Sequence, residues 1–357
     1  MRTRRTALVV AAATLALAAG CSGSTTAAST LSLEKTNLTV AAVPALDSAG
    51  FFIALYQGLF AAQGLNVRFV PATSSETTID QQALSTPGSK NEVDISAGNY
   101  VSYIQAQQNW NSGARPSASD PGIVAANLDI FAEGSVMQAG AQSLFTLPGS
   151  PITTLSQLQG RTVAINAPNN ILYLLAASVL AEHGISPNKV HFVTKYALPQ
   201  IPTELSAGVV NAAVLPEPFA SVAEESNGAV PLVDLNQGAT ANFPVEGYVV
   251  TKQWAQQNPH TLAAFYKALE EGQEIADTNR AAVENAMERL PNPLGVSKDI
   301  AALMALDQYP VGAGPVGDVD TIQLQRVVDV MQQFLGFQSS FNVNSMLMND
   351  GRGWAGE

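Results

Sequence analysis

The side chains that most often carry covalent or metal chemistry are scarce in this sequence. Its 357 residues include one cysteine, Cys21, and three histidines, His183, His191 and His260. A single cysteine can form neither an intramolecular disulfide nor a cysteine-rich zinc site, and so few histidines do not favour a metal cluster. His183 also comes just before the expected end of a helix, where a cation complements the helix dipole. We therefore predict no catalytic residue and no metal site.

One short motif matches a cofactor-binding pattern, but its surroundings argue against that role. Residues 312–317, GAGPVG, fit the dinucleotide pattern GxGxxG. Such a site needs a strand before the glycines and a helix that opens within them, whereas Pro315 lies inside this loop. We interpret the stretch as a connector between helices. Because GxSxG, Walker A, HExxH and paired-cysteine motifs are also absent from the sequence, we predict no cofactor and no enzyme activity.

Cys21 stands at the end of an apparent export signal. Three arginines lie within residues 1–5, an apolar run spans 7–19, and LAAGC at 17–21 resembles the bacterial lipoprotein box. The run is shorter than the roughly 20 residues of a membrane-spanning helix. We expect residues 1–20 to be a lipoprotein signal peptide and residues 21–36 a flexible tether. Lipidation of Cys21, with palmitate among its acyl chains, would anchor the chain to the extracytoplasmic face of the cell membrane. An ordinary signal peptide with an incidental cysteine is the alternative.

Charge and composition exclude one class of partner. The net charge is −12, and without the three arginines of residues 1–20 it becomes 14 minus 29, or −15. A surface this acidic repels nucleic acid, so we expect no nucleic-acid partner. With 46% hydrophobic and 13% charged residues, the chain can bury a large core, and its length suggests two domains.

Strand-like and helix-like stretches alternate in the first two thirds of the chain, which is typical of a mostly parallel sheet. The first set has strand-like runs at 38–43, 65–70 and 92–98 and helical stretches at 49–64 and 77–84. The same order returns with strands at 161–166, 189–195 and 209–215 and helices at 169–184 and 201–208. We predict two similar α/β lobes, followed from residue 252 by amphipathic helices.

Five stretches within residues 38–250 carry a family resemblance: FFIALYQGLFAAQGLNVRFV, EVDISAG, TTLSQLQGRTVAIN, LAEHGISPNKVHFV and LSAGVVNAAVLPEPFASVA. In order and spacing they resemble the substrate-binding proteins of ABC importers, of the nitrate/sulfonate/taurine type that includes binders of thiamine pyrimidine precursors. The resemblance implies a type II periplasmic-binding-protein fold, with two α/β lobes joined by two hinge crossovers and with extra C-terminal helices. It also implies a small-molecule solute, an ABC permease with its ATPase as partner, and a monomer.

The resemblance further predicts where the lobes divide. We expect the hinge crossovers near 142–148 and 245–251. One lobe would then contain residues 37–146 and 248–357, and the other residues 147–247.

Ligands of open α/β sheets bind beyond the carboxyl ends of the strands, where helix N-termini point free N–H groups into a crevice. Four segments of the sequence follow predicted strands in this way. The candidate ligand-binding residues in these segments and at the second crossover are Asp47, Ser48, Phe51, Phe52, Gly98, Asn99, Tyr100, Asn169, Asn170, Glu217, Phe219 and Tyr248. Ser48, Asn169 and Asn170 are also natural helix caps, so capping competes with ligand contact.

Two groups of candidates have an alternative role. Pro216 and Pro218 hold Glu217 on a stiff turn, from which its carboxylate either contacts a ligand or complements the dipole of the following helix. Phe51 and Phe52 cannot both face the crevice from adjacent helical positions. We expect about half of the aromatic candidates to be core residues.

The same segments indicate what kind of ligand binds. They contain no Arg or Lys but include Asp47 and Glu217, with Glu246 near the second crossover, which disfavours a small dianion. The aromatic residues favour a flat or partly apolar molecule bearing an amine. We expect a small organic solute, such as a pyrimidine precursor or a sulfonate/taurine-type compound. The alternatives are a thiamine-precursor-pathway enzyme on the same fold and a ligand sensor without a transporter.

Overall fold

The computed structural model describes residues 32–72, 92–114, 124–291, 296–307, 321–337 and 341–348. From Leu33 onward these residues belong to one compact unit. Cys21 and the expected signal peptide, the predicted helix at 77–84 and the GAGPVG stretch at 312–317 lie outside the described residues.

The first sheet combines parallel strands with one antiparallel strand from much later in the chain. Its strands are β1 (Asn37–Ala42), β2 (Asn66–Pro71), β3 (Ile95–Asn99), β4 (Leu128–Val136) and β10 (Pro244–Thr251). They lie in the order β2-β1-β3-β10-β4. β1 is parallel to β2 and β3, whereas β10 is antiparallel to both β3 and β4.

The second sheet repeats this arrangement. Its strands are β5 (Gln142–Thr146), β6 (Thr162–Ala164), β7 (His191–Val193), β8 (Ala212–Pro216) and β9 (Val230–Asp234), in the order β7-β6-β8-β5-β9. β6 is parallel to β7 and β8, and β5 is antiparallel to β8 and β9. β5 therefore takes the place that β10 has in the first sheet. The prediction of two similar α/β lobes is confirmed.

The chain passes between the two sheets twice, through residues 137–141 and again through residues 235–243. The sequence placed the crossovers a few residues later, near 142–148 and 245–251. Those stretches instead contain β5 and β10, and every residue of 142–146 and 244–250 is buried. Each of these strands pairs with a neighbour on both sides, so an apolar run interpreted as a connector is an interior strand.

Helices account for most of the remaining described residues. They are α1 (Ala49–Gln57), α2 (Leu59–Ala62), α3 (Tyr100–Ser112), α4 (Ile171–Glu182), α5 (Ile201–Ser206), α6 (Phe219–Asn227), α7 (Lys252–Gln257), α8 (Pro259–Thr278), α9 (Arg280–Glu288), α10 (Lys298–Asp307) and α11 (Thr321–Leu335). The helices from α7 onward follow β10, which confirms the predicted helical C-terminal region. Among the described residues, no helix combines the length and the apolar character needed to span a membrane.

Close packing of α8 against α1 fixes the start of α1. A Cβ atom at Gly272 would collide with the carbonyl oxygen of Gly50, so the two helices meet backbone to backbone. The next residue of α8, Gln273, donates from Nε2 to the carbonyl oxygen of Glu133 on β4 at 2.8 Å. Helix α8 therefore joins the start of α1 to β4, and the turn Leu46–Ser48 immediately precedes α1.

Candidate ligand-binding cleft

A cleft lies beyond the carboxyl ends of parallel strands from both sheets, where such folds bind ligands. The residues that line it are Val43, Ala45, Asp47, Asn99, Gln142, Asn166, Asn170, Ile171, Leu172, Leu198, Pro216, Val245 and Glu246. They follow β1 and β6, end β3 and β8, precede and begin α4, precede α5, and lie at the starts of β5 and β10. The space between them, counted out to the solvent at its mouth, is about 470 Å³.

Two carboxylates reach the cleft from the side of the first sheet. Asp47 lies on the turn Leu46–Ser48 after β1, and Glu246 lies on β10. Ser48 Oγ donates to Glu246 Oε1 at 2.6 Å, and Ser135 Oγ donates to Asp47 Oδ1 at 3.5 Å. Within the described residues, neither carboxylate forms an ion pair.

Burial moves both carboxyl groups toward their neutral forms. Loss of solvation raises the pKa of Asp47 to about 6, against the smaller opposing effect of the Ser135 hydroxyl. Loss of solvation also raises the pKa of Glu246 to about 8, and the charge of Asp47 adds to this rise while the hydrogen bond from Ser48 opposes it. Because the two groups interact, their protons belong to the pair. Near neutral pH the pair carries about one negative charge.

Buried tyrosines surround Glu246 on its protein side. Burial, together with the nearby Glu246 carboxylate, raises the pKa values of Tyr100, Tyr103 and Tyr248 well above their usual range. They are therefore neutral at physiological pH and cannot balance the charge of Glu246. Tyr100 fits against β10 because residue 247 is a glycine, where a Cβ atom would lie 2.7 Å from the Tyr100 hydroxyl oxygen.

Neutral amides line the side of the cleft that belongs to the second sheet. Asn170 Oδ1 caps α4 by accepting from the Tyr173 N–H at 3.3 Å, and Asn170 Nδ2 donates to Asn166 Oδ1 at 2.5 Å. Gln142, at the start of β5, is 2% exposed. Its buried Oε1 accepts no hydrogen bond from the described residues. An unpaired acceptor next to a cleft indicates a place for a donor from a ligand.

The structure brings some of the predicted site residues together at the cleft and leaves others elsewhere. Asp47, Asn99 and Asn170 line it. Ser48, Gly98, Tyr100 and Tyr248 lie behind these residues, on or beside the strands that carry them. Asn169 is exposed, and its carbonyl oxygen accepts from Gln105 Nε2 at 2.7 Å.

The aromatic candidates belong to the core. Phe51, Phe52 and Phe219 are at most 1% exposed, and the Phe52 ring packs edge to face on Phe69 with centroids 5.1 Å apart. Among the described residues that line the cleft, none is aromatic. Aliphatic and amide side chains therefore stand where aromatic ones were expected, because the large rings of α1 and α6 face inward.

Glu217 adopts the capping role that the sequence left open. Its carboxylate accepts from the Ser221 N–H at 3.1 Å and from Ser221 Oγ at 2.9 Å, at the start of α6. Glu217 is 4% exposed and is not among the described residues that line the cleft. Its carbonyl oxygen accepts from the Leu46 N–H at 3.3 Å, which joins the turn after β8 to the turn after β1.

Sequence reasoning overlooked three polar lining residues. Gln142 was hidden inside a stretch interpreted as a crossover, and Glu246 was noted only for being near the second one. Asn166 lies two residues after the end of β6. The signal available was a polar residue beside or inside a strand-like run, Gln142 before SLFT and Glu246 within PVEGYVV.

Residues 32–290 match the NMT1-like family. The chain belongs to this family. A comparison with curated proteins finds no match.

Solved structures of low sequence identity share the fold of this NMT1-like chain. The alkanesulfonate-binding protein SsuA from Xanthomonas axonopodis pv. citri, bound to MOPS, is 14% identical, with 88% of this chain and 99% of that chain covered and a TM-score of 0.69. The periplasmic nitrate-binding protein NrtA from Synechocystis PCC 6803 is 15% identical, with 89% and 88% covered and a TM-score of 0.73. The ligand-binding component of an ABC-type import system from Staphylococcus aureus, with zinc bound, is 13% identical, with 88% and 97% covered and a TM-score of 0.70.

These likenesses confirm the predicted type II periplasmic-binding-protein fold and the resemblance to binding proteins of ABC importers. The ligands of those proteins cannot be assigned to this chain, because the side chains in the cleft determine which ligand binds. In particular, no group of three or more His, Cys, Asp or Glu side chains able to hold a metal ion occurs in the described part of this chain.

Proposed function

We propose that this protein is an extracytoplasmic solute-binding lipoprotein that captures a small organic solute in the cleft and delivers it to an ABC importer. The observation that carries the proposal is the cleft itself, lined by polar side chains from both sheets, with Asp47 and Glu246 on one side and Asn166, Asn170 and Gln142 on the other. Family membership and the named structures make import the function to test first.

Capture by closure explains why the site is divided between two sheets. The hydrogen bond from Leu46 N–H to the Glu217 carbonyl oxygen and the one from Gln105 Nε2 to the Asn169 carbonyl oxygen join residues that follow strands of different sheets. A solute that contacts both sides of the cleft would select the closed arrangement. The connecting segments, residues 137–141 and 235–243, would supply the hinge.

The remaining parts of the proposal come from the sequence. Lipidation at Cys21 would hold the protein at the membrane, and the tether would let it reach an ABC permease with its ATPase. We expect it to act as a monomer. Replacing Cys21 with Ser should release the protein into the medium or leave the signal peptide uncleaved while solute binding is retained.

The experiment that tests capture is a thermal-shift screen of the chain lacking residues 1–21. The panel contains benzylamine, putrescine, cytosine, benzyl alcohol, taurine, benzenesulfonate and nitrate. A ligand that binds only the folded chain raises its unfolding temperature in proportion to ligand concentration and affinity. If no compound stabilises the protein, solute capture is contradicted.

A matched pair of variants then locates the site. Val43 lines the cleft, whereas Val209 is 52% exposed on the surface. Val43→Trp should remove the stabilisation by filling the cleft, and Val209→Trp should keep it. Equal stabilisation of the two variants would mean that the solute binds elsewhere.

A second candidate function is proton transfer to or from a bound solute. Carboxyl groups with raised pKa values, as at Asp47 and Glu246, are typical of general acids and bases. Incubating the protein with each stabilising compound and analysing the mixture by mass spectrometry decides between the two. A new product formed without a partner protein would favour an enzyme, and an unchanged compound would favour transport or sensing.

A further inference from the structure

Both charged groups described at the cleft, and the buried lining atom that has no hydrogen-bond partner among the described residues, are hydrogen-bond acceptors. Asp47 and Glu246 contribute carboxylates from the first sheet. Gln142 contributes a buried amide oxygen that accepts no hydrogen bond from the described residues. Lys and Arg are absent from the described lining. An anion would meet repulsion here, whereas a donor with positive charge would satisfy all three groups.

The protein supplies little to balance these charges. The groups that face Glu246 are Asp47 and Ser48 on the turn after β1, Tyr100 and Tyr103 on α3, Ser135 with Glu133 on β4, and Tyr248 on β10 itself. All are acidic, or neutral hydroxyl groups. Ion pairs do occur elsewhere in the described chain, such as Lys35 with Asp94 at 2.6 Å. The acidic pair at the cleft is thus an exception that a bound cation would resolve.

Apart from the neutral amides of Asn99, Asn166 and Asn170, the rest of the described lining is aliphatic. Val43, Ala45, Ile171, Leu172 and Leu198 surround the polar groups. An aliphatic wall binds hydrocarbon and gives no compensation for a second charged group. The arrangement fits a molecule with one cationic end and an apolar body.

From this juxtaposition we propose that the cleft binds an organic cation, an amine whose N–H groups donate to Asp47, Glu246 and the Gln142 amide oxygen while its apolar body lies against Ile171 and Leu172. The inference rests on the proposed function and names the substrate class of the same site. The proposed ligand is a cation, whereas the similar structures are named for binding the anions sulfonate and nitrate.

Binding of a cation should change the protonation state of Glu246. In the empty cleft near pH 7, Glu246 holds its proton because its pKa is about 8. A positive charge beside it favours the carboxylate, so the protonated amine enters and one proton leaves Glu246 for the solvent. Amine affinity should therefore rise as the pH increases from about 6 toward 8, and about one proton should be released per amine bound.

The test is isothermal titration calorimetry on the chain lacking residues 1–21, with three probes that share a ring and differ in charge. Benzylamine is cationic, benzyl alcohol neutral and benzenesulfonate anionic. Titrations in buffers with different ionisation enthalpies give the number of protons released. We expect benzylamine to bind about tenfold or more tightly than the other two, with proton release, and putrescine to exceed taurine in the thermal-shift panel.

Matched variants assign the effect to the acidic pair. Glu246→Gln keeps an oxygen that can accept from Ser48, and it should lose about tenfold or more in benzylamine affinity together with the proton release. Glu284→Gln, which removes a carboxylate from a surface ion pair with Arg280, should bind as the parent chain does. Circular dichroism reports whether each variant is folded, and Asp47→Asn replaces Glu246→Gln if the latter does not fold.

The outcomes separate this inference from the proposed function. Tightest binding of benzenesulfonate, nitrate or a neutral compound would overturn the amine inference while supporting solute capture. Amine binding without proton release, unchanged in both Glu246→Gln and Asp47→Asn, would also overturn it. Absence of binding by every panel compound would contradict the proposed function itself.

Discussion

Glu246 and Gln142 occupy equivalent positions in two sheets of the same strand order, yet one is an acid and the other its neutral amide. Glu246 of β10 lies opposite Asn99, the last residue of β3. Gln142 of β5 lies opposite Pro216, the last residue of β8. Both line the cleft. The backbone is repeated, but the charge is not, so the two sides of the site have different tasks.

This contrast in charge indicates how a site divided between two sheets can bind a ligand in steps. The first side holds the acidic pair Asp47 and Glu246, which attracts and orients a positive group. The second side offers Asn166, Asn170 and Gln142, whose neutral dipoles add hydrogen bonds without adding charge. Closing a neutral surface over a neutralised ion pair costs less desolvation than closing a second charged surface would. Replacing a residue on one side of the cleft with the residue type found on the other side tests this interpretation.

The largest effect is expected for Glu246→Gln, which makes the first side resemble the second. The folded chain holds the Glu246 proton more tightly than the unfolded chain does, since the pKa rises from 4.5 to about 8. Ionisation therefore costs stability, and the free energy of unfolding falls as the pH rises from about 4.5 to 8. The variant should escape this loss and be about 4 kcal/mol more stable than the parent chain at pH 8.

Urea denaturation of both chains at several pH values measures the difference. At pH 4, where Glu246 is protonated in both states, the two stabilities should nearly coincide. Equal stabilities at pH 8 would mean that the carboxylate is better solvated or better paired than its surroundings indicate. A stabilised variant that no longer binds benzylamine would show that the site trades stability for function.

The reverse exchange, Gln142→Glu, makes the second side resemble the first. Gln142 is 2% exposed, and its Oε1 accepts no hydrogen bond from the described residues, so a carboxylate there would be buried without a partner. We expect a loss of about 2 kcal/mol at pH 8 and a smaller loss at pH 5, where the new carboxyl group is protonated. Urea denaturation at the two pH values measures this, and a loss independent of pH would indicate a packing effect instead.

The sequence predicted the parts of the fold that depend on local pattern. Alternating strands and helices gave two similar lobes, and apolar periodicity gave the C-terminal helices. The crossovers were misplaced because residues 142–146 and 244–250 are short apolar runs whose pairing partners lie far away in the chain. Pairing with β8, β9, β3 and β4 makes them interior strands, and no local signal reports such distant contacts.

The sequence predicted which segments lie at the cleft better than it predicted which of their side chains line it. Asp47 and Asn170 follow strands and Asn99 ends one, and the rule for carboxyl ends of strands was enough to find them. Phe51 and Phe52 also follow a strand, but they point into the core against Phe60 and Phe69. The Glu217 carboxylate accepts a hydrogen bond from Ser221 Oγ and does not line the cleft. Orientation of this kind depends on packing across elements, which a single sequence does not contain.

The smallest expected effect concerns a residue with two tasks on the neutral side of the cleft. Asn170 lines the cleft and caps α4 through the Tyr173 N–H. Asn170→Ala should lose about 1 kcal/mol of stability, the usual cost of a lost N-cap. Asn170→Asp keeps the cap and adds a negative charge at the helix N-terminus, but it loses the donation from Nδ2 to Asn166 Oδ1, so its stability at pH 7 should stay within about 1 kcal/mol of the parent chain. Because this carboxylate extends the acidic side across the cleft, Asn170→Asp should bind benzylamine more tightly than the parent chain, as calorimetry at pH 7 would measure. Weaker benzylamine binding by a stable Asn170→Asp would mean that the neutrality of the second side is itself required for the cleft to close.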